Sequence, residues 1–347
     1  MSKKPSVLIR ILLFTFTTLV AAGCSEKNNW EINDGVVWHT TYRIVYNSDR
    51  NLADSINAVF TEVEQSLSPF RENSLISRIN RSETTDTDSL ISRAFEIARM
   101  VNTASGCRFD PTVAPLVNIW GFGTDSVARK LAEDTDPSHP FIVPQETIDS
   151  ALSLVGIADC RIENGLISKK HPLTTFNFSA ITKGLGCDMV AAMLRRNGVK
   201  NYMVEIGGEI SASGHNARMR PWQIQLDSPS EENGAPRHEA IRIISLTDGG
   251  VATSGNYRNF HKTAGYGKIG HTINPVDGQP AQSEILSATV LAPTCGEADA
   301  WATACMTQPS ASEALRMLAT DPSVEALLVV ARGDSMQIVA TPDCRFK

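Results

Sequence analysis

Residues 265–275 read GYGKIGHTINP, and this stretch decides between two architectures. Gly265, Gly267 and Gly270 match the GxGxxG pattern of a dinucleotide-binding loop. In a doubly wound α/β domain that loop ends a strand and opens a helix, about 20 residues before an acidic partner for the ribose. Here His271, Thr272, Ile273, Asn274 and Pro275 follow at once, and a proline so close leaves no room for a helix. The Rossmann reading is rejected, and the rest of the chain must supply the fold class.

Upstream, residues 36–46 are rich in β-branched and aromatic side chains and predict a first strand. Ile56, Val59, Phe60, Val63 and Leu67 recur at steps of three and four, which predicts a helix over 52–67. Shorter helices are expected over 74–80, 90–101 and 145–155, with 124–144 a polar, proline-bearing surface excursion. A strand is expected at 175–178, leading into a helix over 186–197. Strands are then expected at 202–206, 222–226, 241–246 and 285–291, helices at 297–306 and 310–318, and closing strands at 324–330 and 336–340. Helix and strand mix without regular alternation. The expected class is therefore α+β, with mixed or antiparallel sheets and packed helices.

The chain has 347 residues, 42% of them hydrophobic, enough to bury a core without disulfide staples. Its formal charge of -6 and the lack of a basic run exclude nucleic acid as a partner. Lys3, Lys4 and Arg10 precede the short apolar run 11–20, which is followed by Ala21, Ala22, Gly23 and Cys24. That order describes an export signal, and the run is too short to span a bilayer. Cys24 after small residues resembles a bacterial lipoprotein signal, against the alternatives of plain cleavage or an uncleaved anchor. The expected division is a signal over 1–24, a polar tether over 25–35 and one domain over 36–347, with the protein lipid-anchored at the bacterial cell envelope and facing the periplasm. The other six cysteines are scattered, with no CxxC. They read chiefly as buried small hydrophobes.

Three segments carry chemistry. Residues 110–123, DPTVAPLVNIWGFG, end in an aromatic–Gly–aromatic–Gly corner. Trp120 and Phe122 there could stack on a flat ligand, or the corner could line a core. Residues 177–188, NFSAITKGLGCD, put glycines, hydroxyls and Lys183 at a helix start, either an anion site or an ordinary cap. Residues 297–304, EADAWATA, place Asp299 and Thr303 four apart on one helix face. These are hard oxygen ligands suited to Mg²⁺, unless they only finish a helix turn. Glu205 to Glu209 (EIGGE) and Thr253 to Phe260 (TSGNYRNF) are polar glycine-bearing turns with bland readings open to them. The chain has no GxxxxGK[ST], HExxH or GxSxG pattern.

Taken in order, these segments resemble the FAD:protein FMN transferase (ApbE) family. The resemblance runs from about Val36 to Thr341, through SPF at 68–70, SLISRIN at 74–80, FDPTVAP at 109–115, WGFG at 120–123, Lys183 and Gly184 with Asp188, Gly207 and Gly208, TSGNY at 253–257, HTINP at 271–275 and ADAWAT at 298–303. It implies Mg²⁺ held by the Ala180 carbonyl, Asp299 and Thr303, and FAD held at Trp38, Phe70, Trp120, Gly121, Phe122, Asn177, Lys183 and Ile273. It further implies that His271 accepts the proton of the attacking hydroxyl and that Lys183 and Mg²⁺ neutralise charge on the phosphates. The implied partner is a Thr- or Ser-bearing acceptor subunit of a membrane electron-transport complex. The implied products are flavinylated acceptor and AMP. Hydrolysis of FAD to FMN and AMP, or flavin binding without chemistry, are the competing readings.

Overall fold

The computed structural model describes residues 29–123, 126–132, 141–229, 231–232, 235–236, 239–255, 260–263, 267–333, 335–342 and 344. The signal segment and Cys24 lie outside the described residues. An eight-stranded sheet carries the fold. In spatial order its strands are Trp30–Val37, Thr40–Asn47, Tyr202–Ile206, Glu209–Ser213, Asp248–Gly255, Ile285–Ala292, Glu325–Arg332 and Ser335–Ala340. Every neighbouring pair is antiparallel, and spatial order follows chain order. Helices enter as excursions between adjacent strands, which gives the α+β class expected from the irregular alternation.

Helices Ser179–Arg196, Cys295–Met306 and Ala311–Leu318 lie on one face of this sheet, and Ala53–Leu67 and Ser89–Ala104 pack on them. Ala53–Leu67 forms because Ile56, Val59, Phe60, Val63 and Leu67 make one buried stripe. Ser89–Ala104 starts where the Asp88 carboxylate accepts from Ile91 N at 2.8 Å. In Cys295–Met306 every residue except Glu297 and Thr303 is buried. Its alanines let it sit deep between the sheet and its neighbours, and one carboxylate, Asp299, goes in with them. The other sheet face is covered by the hairpin of Trp222–Asp227 with Ala240–Leu246, whose Trp222, Ile224, Leu226 and Leu246 pack on Val251, Leu291 and Leu327. A third cluster, around Leu116, Trp120, Phe141, Ile148 and Ile273, lies apart from both.

Several expectations are corrected. The single strand over 36–46 is a hairpin, Trp30–Val37 with Thr40–Asn47, and the tether does not reach residue 35. Trp30 packs edge-on against Trp222 at 5.8 Å, and the Tyr46 hydroxyl donates to Asn33 Oδ1 at 2.9 Å. No strand forms at 175–178. There the backbone is satisfied by a side chain instead: Phe176 N donates to Asn80 Oδ1 (2.7 Å) and Asn80 Nδ2 to Phe176 O (2.8 Å). The following helix starts at Ser179, not 186. Thr253 to Gly255 continue a strand rather than a turn, while 256–259 lie outside the described residues. The excursion 124–144 contains the helix Ser126–Ala132, and its Phe141 and Val143 are buried in the third cluster. Gly267–Gly270 pairs with Phe260–Thr263 as a hairpin, so the GxGxxG match opens no helix. Among the described residues, Cys160, Cys187, Cys295 and Cys305 are buried free thiols and Cys107 is an exposed one.

Candidate active site

A cavity of about 800 Å³ opens where the N-terminus of Ser179–Arg196, the middle of Cys295–Met306, the end of Asp248–Gly255 and the segment after Gly267–Gly270 meet. That is within the range of about 300–1,000 Å³ usual for small-molecule sites. Trp38, Phe70, Phe122, Asn177, Lys183 and Ile273 line it, together with Ala180, His271, Asp299 and Thr303. Trp120 and Gly121 do not. Trp120 is fully buried behind the wall, where its Nε1 donates to Gly278 O at 2.8 Å and its ring meets Phe141. Gly121, at φ +79°, ends helix Ala114–Ile119 against Ala132. The aromatic corner thus divides its labour: Phe122 faces the ligand space, and Trp120 braces it.

The floor is built by the close approach of two helices. A methyl on Gly184 would lie 2.3 Å from the Cys295 carbonyl oxygen, so only glycine permits this packing. Asp188 then accepts from Cys295 N (3.0 Å) and Gly296 N (2.8 Å), tying one helix to the N-terminus of the other. Gly184 N, which an ideal helix aims at the Ala180 carbonyl, donates to Asp299 Oδ2 at 3.1 Å. That bond ties Asp299 to the helix that carries Ala180. Thr303 stands one turn further on and exchanges a hydrogen bond with Ser254 at 3.2 Å. At the helix start, Asn177 Oδ1 accepts from Ser179 N at 2.9 Å, and its own N–H donates to Pro111 O. Asn177 thus closes an Asx turn just before the helix as well as lining the cavity.

Lys183 reaches the floor from the second turn of the helix, with Nζ 3.0 Å from Glu209 Oε1 and 3.8 Å from Asp299 Oδ1. Burial alone disfavours its ammonium, but Asp299 and Glu209 together outweigh that and raise its pKa. Burial raises Asp299, against the pull of Lys183, and pushes Glu209 up to about 7. When both carboxylates are ionised, one ammonium against them leaves the floor with one net negative charge. Glu209 was not singled out from sequence. Its signal was the paired glycine before it: Gly207 and Gly208, at φ +66° and +101°, form the two-residue turn that aims it at Lys183. Asp110, in the 109–115 motif, is structural: it accepts from Thr112 and from Ile157 N and knots three segments together.

His271 sits on the cavity wall, its ring edge-on to Phe122 at 6.4 Å. The residues after it do not continue a strand. Asn274 accepts from Val276 N and donates to Asp277, and Thr272 O accepts from Ala281 N, which holds a tight turn. Trp38 and His39 are the turn of the first hairpin, both with positive φ. The Trp38 ring covers Gly186, and its indole N–H is buried without a partner. Among the described residues no three His, Cys, Asp or Glu side chains gather as a metal cluster.

Known proteins place this geometry in context. Residues 37–328 match the model of the ApbE family. The chain is 31% identical over 333 residues to the FAD:protein FMN transferase of Vibrio cholerae serotype O1, covering 93% of this chain and 94% of that protein. It is 33% identical over 312 residues to the FAD:protein FMN transferase of Haemophilus influenzae, covering 85% and 86%. The solved flavin transferase ApbE from Vibrio cholerae is similar at a TM-score of 0.77 and 30% identity, over 90% of this chain and 97% of that one. The apo form of Pseudomonas stutzeri flavinyl transferase ApbE is similar at 0.77 and 26%, over 90% and 95%. With its antiparallel sheet, its two abutting helices and its matched length, the chain belongs to the ApbE family.

Proposed function

We propose that the protein transfers the FMN half of FAD to a Thr or Ser hydroxyl of an acceptor protein, releasing AMP, with Mg²⁺ held at the cavity floor. The observation that carries this is the convergence of Ala180, Lys183, Asp299 and Thr303, from two helices, with His271 on one cavity. A carbonyl, a carboxylate and a hydroxyl form a hard oxygen set that fits Mg²⁺. The charge balance supports the same ion. With both carboxylates ionised, a pyrophosphate would meet a floor of net negative charge, and a divalent cation reverses that sign. Bound there, Mg²⁺ would neutralise charge building on the phosphoryl oxygens and the leaving phosphate.

The protein's own groups do the rest. Phe70 and Phe122 offer faces for the flavin ring, and the unpartnered Trp38 N–H offers a donor. The Lys183 ammonium faces the phosphates from the start of the second helix turn, close to the positive end of the helix. The acceptor oxygen attacks the FMN phosphorus, the bond to the AMP oxygen breaks, and the hydroxyl proton passes to His271. An acceptor subunit of a membrane electron-transport complex, met at the periplasmic face by a chain anchored through Cys24, suits the N-terminal sequence.

Incubating the purified protein with FAD, Mg²⁺ and an acceptor polypeptide tests this. Covalent flavin on the acceptor with equimolar AMP is the expected outcome. FMN and AMP without labelled acceptor would make the protein a hydrolase, and intact FAD would make it a binder. Asp299→Ala should remove turnover; unchanged turnover would place the metal elsewhere.

A further inference from the structure

Among the described residues, Glu209 is the buried ionisable group on the cavity floor that the mechanism above leaves without a task. It opens strand Glu209–Ser213 and is 4% exposed. Its Oε1 lies 3.0 Å from Lys183 Nζ, and its Oε2 is buried with no hydrogen-bond partner. Asp299 competes for the same ammonium, but at 3.8 Å the contact is beyond hydrogen-bond length. With Asp299 Oδ2 engaged by Gly184 N, Oδ1 carries only that long contact among the described residues.

We propose that Glu209 is a positioning residue that draws the Lys183 ammonium off Asp299 and so keeps an Asp299 oxygen available to a divalent cation. This rests on the metal reading proposed above. The argument is a competition. Lys183 and a divalent cation seek the same carboxylate, and an ammonium facing one buried carboxylate closes to contact with it, about 2.8 Å. A second buried carboxylate, nearer to it at 3.0 Å, holds the ammonium back. A neutral side chain of the same shape would brace the strand equally well without stranding a buried carboxylate oxygen, which is costly to leave unpaired. The charge at position 209 therefore has a use beyond packing.

The test is Glu209→Gln, with Mn²⁺ as the probe, titrated by electron paramagnetic resonance in the absence of FAD so that the readout does not depend on turnover. Gln keeps the shape and removes the charge, so Lys183 moves onto Asp299 and Mn²⁺ binding weakens by about tenfold. The Mg²⁺ concentration for half-maximal FAD cleavage rises in parallel, and added Mg²⁺ restores turnover. Glu209→Asp, which keeps the charge but withdraws it, falls midway between the native protein and the Gln variant. If the Gln variant does not fold, Glu209→Asp carries the test alone, because withdrawing the charge by one methylene should still weaken Mn²⁺ binding by about threefold. Glu209→Gln binding Mn²⁺ as tightly as the native protein, or losing maximal rate that no Mg²⁺ restores, would overturn the inference. Native protein that binds no Mn²⁺ at millimolar concentration would fault the metal reading itself, and this inference with it.

Discussion

Gly184→Ala puts the helix junction to a direct test. The added methyl would sit 2.3 Å from the Cys295 carbonyl oxygen, 2.6 Å from its carbonyl carbon and 2.8 Å from Gly296 Cα. All three are backbone atoms, so no side chain can swing away and the two helices must part. Overpacking of this kind costs about 1–3 kcal/mol. Parting the helices also lengthens the Gly184 N to Asp299 Oδ2 bond, a hydrogen bond to a carboxylate, contributing about 1.5–3 kcal/mol. In a domain of about 300 residues a loss of about 3 kcal/mol lowers Tm by about 5 °C. Because Asp299 moves with the junction, the Mg²⁺ requirement should rise as well. The control is Gly296→Ala, where the methyl meets side-chain atoms of Leu185 and Ile97 at 3.1–3.3 Å that can yield. That variant should stay within about 1 kcal/mol of the native protein, since alanine also favours the helix. Thermal unfolding followed by circular dichroism, with FAD cleavage at several Mg²⁺ concentrations, reads both effects. A Gly184→Ala protein with native Tm and native Mg²⁺ dependence would refute the reasoning.

Other expectations follow from the same geometry. His271→Ala should lower the transfer rate by about 10²–10⁴ with little change in FAD binding, measured by single-turnover kinetics. Phe70, 66% exposed at the cavity mouth, should contribute binding rather than rate, so Phe70→Ala should raise KM for FAD about fivefold and leave kcat near native. Burial lifts Asp188 to about 6 from an ordinary 3.8, despite the two backbone donors it accepts from. A folded pKa above the unfolded one means its contribution to stability is full below about pH 4 and lost as pH rises through 6. Asp188→Asn also leaves one of two N–H donors facing an amide, at a cost of about 1–3 kcal/mol. Urea midpoints should show the deficit of that variant widening from pH 7 to pH 4.5. A gap that narrows on acidification would contradict the assignment.

The parts of the fold that were legible in the sequence are those whose signal is local. The stripe of Ile56, Val59, Phe60, Val63 and Leu67 predicts its helix because burial of one face is written at helical period. Strand Glu325–Arg332, buried from Ala326 to Val330, reads as an unbroken apolar run because it is covered on both faces. Trp30–Val37 was hidden: its Ile32, Asp34, Gly35 and Val36 are exposed, so it carries the composition of a tether. The segment 175–178 is extended yet unpaired, because Asn80, distant in sequence, supplies the bonds a strand would take from a neighbour. The site divides in the same way. Asp299 and Thr303 share a helix face by their spacing, which an ordinary helix turn explains equally, and the structure brings Ala180 to the same cavity. Glu209 does not, since its role exists only once a two-glycine turn folds it toward Lys183. Which of Trp120 and Phe122 faces the cavity depends on how helix Ala114–Ile119 packs on Gly278 and Phe141, and no pattern inside four residues encodes that.

The intact mass of an acceptor protein co-expressed with this chain bears most directly on flavin transfer at a divalent-cation site. With the native protein the acceptor should gain the mass of one FMN, and the gain should vanish when its target Thr or Ser is replaced or when Asp299→Ala is co-expressed instead. An acceptor that stays unmodified with native protein, FAD and Mg²⁺ all present, or one equally modified by Asp299→Ala, would contradict it.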